Sequence, residues 1–114
     1  ETTFLGGEVI VREGDPGGEL YLLLEGSVRI WKNHGTPHAT PLGTLTAVTF
    51  FGEMAILDDA PRSATVIAVG HARLLSLEGR NLKELVHQMP EIAFEIFRVL
   101  SARVRAAEQR LTAD

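Results

Sequence analysis

The chain has 114 residues, 45% of them hydrophobic, and a formal net charge of −4. This composition predicts one domain with one apolar core, and it argues against a surface that binds nucleic acid or anionic membrane. The chain has no cysteine, which excludes disulfides, iron–sulfur clusters and thiolate chemistry, and we expect a reducing, cytoplasmic location. Its apolar runs are too short to span a membrane. Because it begins with Glu1 and not with Met, we expect a fragment of a longer protein.

Up to about residue 78, short apolar runs alternate with turn signals. The runs have strand length and are rich in Val, Ile and Leu, and turn signals stand between them at "EGDPGGE", "EGS" and "NHGTPH". Short strands at this spacing predict a closed or double-sheet antiparallel architecture rather than alternating strands and helices. The strand candidates, in chain order, are "VIVRE", "LYLLLEG", "SVRIWK", "PLGTLT", "ATVIAV" and "ARLLSLE".

After Gly79 the apolar residues recur at helical spacing, and Pro90 stands where a further helix would open. Residues 91–111 contain neither Gly nor Pro, so we predict a short helix and then a long one over about 79–112. On the long helix we define an apolar seam by its 4-3-4-3-4 spacing, which predicts a homodimer, weak because arginines line the remaining faces. The apolar seam consists of Ala93, Phe97, Leu100, Val104, Ala107 and Leu111.

The segment "FGEMAILDDAPRSATV", residues 51–66, places a glycine and a carboxylate shortly before an arginine and a serine. If residues 52–57 form a short helix, the unpaired N–H groups of its first turn favour an anion, and Gly52 lets a ligand approach the backbone. Arg62 presents a planar fork that suits phosphate. Glu53 needs a donor such as a sugar hydroxyl, while Ser63 adds a hydroxyl beside the arginine. The alternative is that Glu53 and Arg62 simply pair with each other.

The order and spacing of "FGEMAIL…PRSATV" resemble the phosphate-binding cassette of the cyclic-nucleotide-binding domain family, which includes catabolite activator proteins, protein kinase A regulatory subunits and cyclic-nucleotide-gated channels. Upstream, "REGDPGGELYLLLEGSVRI" is similar to the glycine-punctuated strands of the family, and downstream "PEIAFEIFRVLSARV" resembles its helix junction. About residues 4–111 are covered. The resemblance implies a mainly β domain, a double-stranded β-helix (jelly-roll-like β-roll), followed by a short and a long α-helix.

The resemblance also implies a role for each matching residue. Glu53 would accept the ribose 2′-hydroxyl, Arg62 would bind the exocyclic phosphate oxygens, and Ser63 and Ala64 would add hydroxyl or backbone donors. The helix start and the nearby wall would come from Gly52, Met54 and Ala55. Three strand residues would face the ribose and base: Ile30, Leu42 and Leu45. The alternative interpretation is that these apolar residues belong to the core. The last helix would reach the base through Leu111 and Thr112.

The ligand implied is cAMP, with cGMP expected to bind measurably, because in this family alanine after the cassette arginine accompanies cAMP and threonine accompanies cGMP. Here that residue is Ser63, and the sequence otherwise resembles bacterial regulators. The implied function is a regulatory module whose helices report occupancy to an effector domain outside this chain, with no metal. The turn Ala47-Val48-Thr49 departs from the family, since β-branched Val48 resists a left-handed conformation, so this turn must be built differently.

Other classes of function remain as alternatives. The domain could be a degenerate member of the fold that serves only as an interaction or dimerisation scaffold, or it could take a cyclic dinucleotide. A cupin-like metalloenzyme would need a His-x-His pair on a strand, whereas His34 and His38 stand four residues apart in a polar loop. No nucleophile elbow, Walker loop or dinucleotide fingerprint occurs, so we predict that the chain is not an enzyme.

Overall fold

The structure is a computed structural model that describes residues 2–53 and 60–113, with the side chains of residues 107, 108 and 110–113 outside the description. Residues 1–79 form one compact unit and residues 80–114 a second. The strands are β1 (Thr2–Phe4), β2 (Val9–Val11), β3 (Glu19–Lys32), β4 (Thr40–Thr46), β5 (Thr49–Phe51) and β6 (Thr65–Glu78), and the helices are α1 (Gly79–Gln88) and α2 (Glu91–Ala113).

Two long antiparallel strands organise the first unit. β3 and β6 pair from Glu19 opposite Glu78 to Trp31 opposite Thr65. Each then has a different partner on each of its halves: β6 pairs with β2 near its start and with β1 near its end, while β3 pairs first with β5 and then with β4. The long strands therefore join two halves of one antiparallel sheet. The pairings place the end of β5 beside the start of β3, and the start of β6 beside the end of β3.

The prediction of a turn at "EGS" is wrong. Gly26 lies inside the continuous strand β3, at a point where the pairing register with β6 shifts. Its φ is +87°, and a Cβ there would lie 2.0 Å from the His71 carbonyl oxygen. The glycine thus serves a β-bulge with close backbone contact, and not a hairpin. Gly70, with φ +68°, likewise lies inside β6, so "ATVIAV" and "ARLLSLE" are one strand.

The core follows the period of two that strands impose. Along β6, the residues of the core cluster all stand at even-numbered positions. Along β3, they change from an odd-numbered position before the bulge to an even-numbered position after it. The change arises because an extra residue in a strand turns the following side chains to the other face of the sheet. The buried cluster consists of Leu23, Val28, Phe51, Val66, Ala68, Ala72 and Leu74.

The turn after β4 avoids the left-handed conformation that Val48 would resist. Among the described residues, Asn33 is the non-glycine residue with positive φ. The N–H of Ala47 donates to the Gly26 carbonyl at 3.0 Å, and Val48 is 79% exposed. The turn is therefore anchored to the bulge of β3 and leaves the valine side chain in solvent.

The bounds of the two helices agree with the positions of Gly79 and Pro90 in the sequence, from which helices over about 79–112 were predicted. The N–H of Gly79, the first residue of α1, donates to the Gly18 carbonyl at 2.7 Å. Pro90 directly precedes α2, and its carbonyl accepts from the Ala93 N–H at 3.0 Å, which is the N-terminal position that proline tolerates. On α2, the seam residues Phe97 and Val104 are 59% and 56% exposed, and Phe94 beside them is 73% exposed.

Candidate functional site

A buried arginine stands at the centre of the site. The Arg62 side chain, just before β6, is 8% exposed. Its Nη2 donates to the Glu19 carbonyl at 2.9 Å and its Nη1 to the Gly52 carbonyl at 3.3 Å. The guanidinium carbon lies 5.7 Å from the centre of the Tyr21 ring, a distance at which a cation is attracted to an aromatic face. The start of β3 and the end of β5 therefore hold the guanidinium from two sides.

The aromatic ring beside the guanidinium was not identified from the sequence. Tyr21 stacks on Phe51, with ring centroids 5.3 Å apart and planes 17° apart, because the two residues are opposite each other in the β3–β5 pairing. Burial, reinforced by the nearby Glu19 carboxylate, raises the pKa of Tyr21, while Arg62 lowers it. The phenol therefore stays neutral and gives Arg62 a flat, apolar support. The alternation that starts β3 was the signal that could have placed this ring inward.

The charge of Arg62 is held by carbonyl oxygens and not by a carboxylate. Lys32–Glu13, Arg73–Glu25 and Arg98–Glu95 are ion pairs of the described residues, and among these residues no carboxylate forms an ion pair with the Arg62 guanidinium. The alternative that Glu53 and Arg62 simply neutralise each other is therefore not what the structure has. A buried cation that pairs with no carboxylate of the described residues has an environment that favours an anion.

Gly52 is required where it stands. Its φ is +93°, and a Cβ at this position would lie 2.6 Å from Arg62 Nη1 and 2.9 Å from the Glu19 carbonyl oxygen. A side chain would therefore be strained in its own backbone and would also displace the guanidinium. Glu53 follows directly, and its side chain is buried at 6% exposure. The fold thus brings Gly52, Glu53 and Arg62 to one place.

The backbone of Arg62 is fixed by the loop between β2 and β3. The Arg62 N–H donates to the Asp15 carbonyl at 2.9 Å, and the Gly14 N–H donates to the Arg62 carbonyl at 2.8 Å. Beside it, the Ser63 carbonyl accepts from Lys32 Nζ at 2.8 Å. The glycines of this loop are visible in the sequence, but these contacts could not be predicted from it, since they join segments that are far apart in the chain.

The other predicted site residues have varied positions. Ser63 is exposed and Ala64 half-buried. Ile30 and Leu45 are half-buried and pack against the core cluster, as the alternative interpretation of apolar strand residues expects, whereas Leu42 is 49% exposed. The remaining predicted residues are described in part or not at all: Met54 and Ala55 lie outside the described residues, and Leu111 and Thr112 lie on α2 with their side chains outside the description.

In residues 2–53 and 60–113, no group of three or more His, Asp or Glu side chains is arranged to hold a metal ion. Over the same part of the chain, no helix combines the length and apolar character needed to cross a membrane.

Comparison with known proteins identifies the family. Residues 1–89 match the cyclic nucleotide-binding domain, and the chain belongs to that family. It is 34% identical over 105 residues to the Cyclic AMP receptor protein of Thermus thermophilus, covering 92% of this chain and 49% of that protein. It is 43% identical over 101 residues to a Cyclic nucleotide-gated potassium channel of Mesorhizobium japonicum, covering 89% of this chain and 26% of the channel.

A solved structure supports the same assignment. The crystal structure of the Thermus thermophilus Catabolite Activator Protein matches with a TM-score of 0.83 and 33% identity, over 96% of this chain and 52% of that one. The resemblance and the predicted fold class, a β-roll with two C-terminal helices, are confirmed. The chain spans about half or less of the length of these relatives. Family membership favours a binding module over a cupin-like metalloenzyme.

Proposed function

We propose that this chain binds a 3′,5′-cyclic nucleotide, with the cyclic phosphate on Arg62. The observation that carries the proposal is the charge balance of that side chain, which is buried and donates to two carbonyl oxygens but forms no ion pair with a carboxylate of the described residues. A guanidinium has five N–H donors in a rigid fork. The two bonds to Glu19 and Gly52 use two of them, and phosphate oxygens suit the rest.

The neighbours of Arg62 supply the remaining chemistry of the proposal. The missing Cβ of Gly52 lets a ligand come close to the backbone. The buried carboxylate of Glu53, next in the chain, accepts a hydrogen bond from the ribose 2′-hydroxyl, which 3′,5′-cyclisation leaves free. A ligand that combines an anionic phosphate with a hydroxyl a few ångströms away meets both requirements, and cyclic nucleotides have this combination.

Calorimetric titration with cAMP tests the proposal. We expect Arg62→Ala to weaken binding by about ten- to a hundredfold, since it removes charge-assisted hydrogen bonds worth roughly 1.5–3 kcal/mol. Arg29 lies exposed on β3, so Arg29→Ala is a matched control that makes the same charge change away from the site. Equal affinities for Arg62→Ala and the native chain would refute the assignment of the phosphate to Arg62.

We further propose that cAMP is preferred modestly over cGMP. The name of the Thermus thermophilus relative, a Cyclic AMP receptor protein, supports this order, as does the absence of threonine after Arg62. The exposed hydroxyl of Ser63 serves either the phosphate or the guanine amino group. Ser63→Ala should therefore weaken cGMP binding more than cAMP binding. Equal losses for the two nucleotides would show that the hydroxyl serves only the phosphate.

The proposed output is a change in the helices. Arg62 donates to the Glu19 carbonyl, and the neighbouring Gly18 carbonyl accepts the N–H of Gly79 at the start of α1. A phosphate that binds the remaining N–H donors of Arg62 therefore acts next to the contact that holds the beginning of α1. Occupancy shifts the helix populations only as far as the ligand binds one arrangement better than the other. The effector domain lies outside this chain, and the relatives include both a receptor and a channel.

A second candidate, a scaffold that binds no nucleotide, draws its support from α2. Phe94, Phe97 and Val104 are all more than half exposed on that helix, and exposed apolar residues of this size suit a partner surface. The two candidates separate in a thermal-shift panel of cAMP, cGMP and cyclic dinucleotides. A scaffold would show no increase in melting temperature with any of them.

A further inference from the structure

A lysine side chain forms a hydrogen bond to the backbone of the segment that follows Arg62. Lys32, the last residue of β3, donates from Nζ to the Ser63 carbonyl oxygen at 2.8 Å. The same ammonium lies 3.2 Å from Glu13 Oε2. Its side chain is 46% exposed, so this could be an ordinary surface ion pair, which typically contributes little to stability. Its acceptor, however, is a backbone carbonyl inside the segment that carries the proposed phosphate ligands.

Glu13 fixes the position of that ammonium. Its Oε1 accepts from the Asn33 N–H at 2.9 Å, and its own N–H donates to Thr65 Oγ1 at 3.0 Å. The bonds from Asn33 and Lys32 lower the pKa of Glu13, so its carboxylate stays ionised. A closed ring of contacts therefore runs from Lys32 to Ser63, along the chain to Thr65, and through Glu13 back to Lys32. Such a ring orients the ammonium more firmly than a single exposed pair would.

Because Lys32 holds the Ser63 carbonyl, it also orients the Ala64 N–H of the same peptide unit. The Ser63–Ala64 peptide is trans, so its C=O and N–H lie in one plane and point in opposite directions. An ammonium that holds the Ser63 oxygen therefore aims the Ala64 N–H away from itself. A charged donor on the carbonyl also polarises the peptide, which strengthens the N–H as a donor to an anion.

We propose that Lys32, held by Glu13, is a positioning residue of the anion site, which aims and strengthens the Ala64 N–H as a hydrogen-bond donor to the cyclic phosphate. The inference rests on the proposed function, since it requires the phosphate to lie against Arg62 and Ala64. Lys32 acts through the Ser63–Ala64 peptide, and the proposal gives it no contact with the nucleotide.

Calorimetry with cAMP and the amide spectrum of the ligand-free protein test this role together. Lys32→Met keeps the aliphatic stem and removes the ammonium, and we expect about a tenfold loss of affinity, the equivalent of one hydrogen bond. Lys32→Arg restores a charged donor and should return to within about threefold of the native affinity. Lys83 is exposed on α1, so Lys83→Met is the control for the same change of net charge and should bind as the native chain does.

The amide spectrum supplies a readout that needs no ligand. Lys32→Met should shift the Ala64 amide signal of the free protein, Lys32→Arg should shift it less, and Lys83→Met should leave it in place. If the native chain binds cAMP while Lys32→Met binds within twofold of it, the positioning role is wrong and the proposed function stands. If the native chain binds no cyclic nucleotide, both are wrong. A loss of affinity that Lys32→Met and Lys83→Met share would also overturn the role, because it would reflect net charge alone.

Discussion

Replacing Gly52 by alanine should separate the geometry of the anion site from the stability of the fold. The added Cβ would lie 2.6 Å from Arg62 Nη1 and 2.9 Å from the Glu19 carbonyl oxygen, both closer than real contacts allow, and the backbone would keep an alanine at a φ of +93°. The carbonyl of Glu19 belongs to the paired strand β3 and is held in place. The guanidinium is the group that has to move.

The expected loss of folding stability in Gly52→Ala has two contributions, and the same substitution at Gly7 measures one of them. A left-handed conformation costs a non-glycine residue about 1–2 kcal/mol. Gly7 has a φ of +89°, and a Cβ there would meet nothing within 4 Å, so Gly7→Ala should cost that strain alone. Gly52→Ala adds the weakened hydrogen bonds of a charged donor, roughly 1.5–3 kcal/mol, which gives a total of about 2.5–5 kcal/mol.

Urea unfolding of the two variants measures the difference, and calorimetry with cAMP measures its consequence. We expect Gly7→Ala to lose stability while binding cAMP as the native chain does. Gly52→Ala should lose more stability and at least tenfold in affinity, because its guanidinium is displaced. If Gly52→Ala binds cAMP with native affinity, the position of Arg62 in this structure is not the one that the ligand uses, and the reasoning fails.

Three further predictions follow from single residues. Glu53→Ala should weaken cAMP binding, and its effect should shrink with 2′-deoxy-cAMP, because both changes remove the same hydrogen bond; equal effects on both ligands would contradict the role of Glu53. Val104→Asp, on the exposed side of α2, should reduce any self-association seen by sedimentation, and a native chain that is monomeric at high concentration would show that the apolar seam forms no dimer alone. The hydrogen bonds from Asn33 and Lys32 hold the pKa of Glu13 below its ordinary 4.5, so their stabilisation is complete above that pH and is lost as the pH falls through the lower, folded value. Glu13→Gln should therefore flatten the fall of melting temperature on the acid side of pH 4.5.

Strands β2, β3, β4 and β6 and the charged residues of the candidate site could be predicted from the sequence because each depends on local pattern, whereas the short strands β1 and β5 were not predicted. Strand-length apolar runs located β2, β4 and both halves of β3 and β6, and the change of period after Gly79 located the helices. Gly26 was wrongly predicted to lie in a turn because turns and β-bulges both use the positive φ that glycine readily adopts. Only the facing strand decides between them, and in this case the His71 carbonyl is too close for any side chain.

The contacts that hold Arg62 could not be predicted from the sequence. Its acceptors are backbone carbonyls, which every residue has, so no residue type marks Glu19 or Asp15 as a partner. Lys32 and Glu13 are a common surface combination, and their relation to Ser63 depends on the register of β3 with β6. The candidate site was thus predicted where side chains carry the chemistry and missed where the backbone carries it.

The site exists only when distant segments are folded together. Ligand binding should therefore be measurable as an increase in the free energy of unfolding. Arg62 is held from Asp15, Glu19 and Gly52, and in an unfolded chain none of these groups would be gathered around it. A ligand that binds only the folded state stabilises it by RT ln(1 + [L]/Kd), or about 2.7 kcal/mol at a hundred times Kd. For a domain of about 100 residues this corresponds to a rise in melting temperature of roughly 10 °C or more. We therefore expect cAMP to raise the melting temperature of the native chain with the logarithm of its concentration, and to raise that of Arg62→Ala clearly less at the same concentrations. A native chain whose melting temperature stays constant up to millimolar cAMP and cGMP would instead support the scaffold.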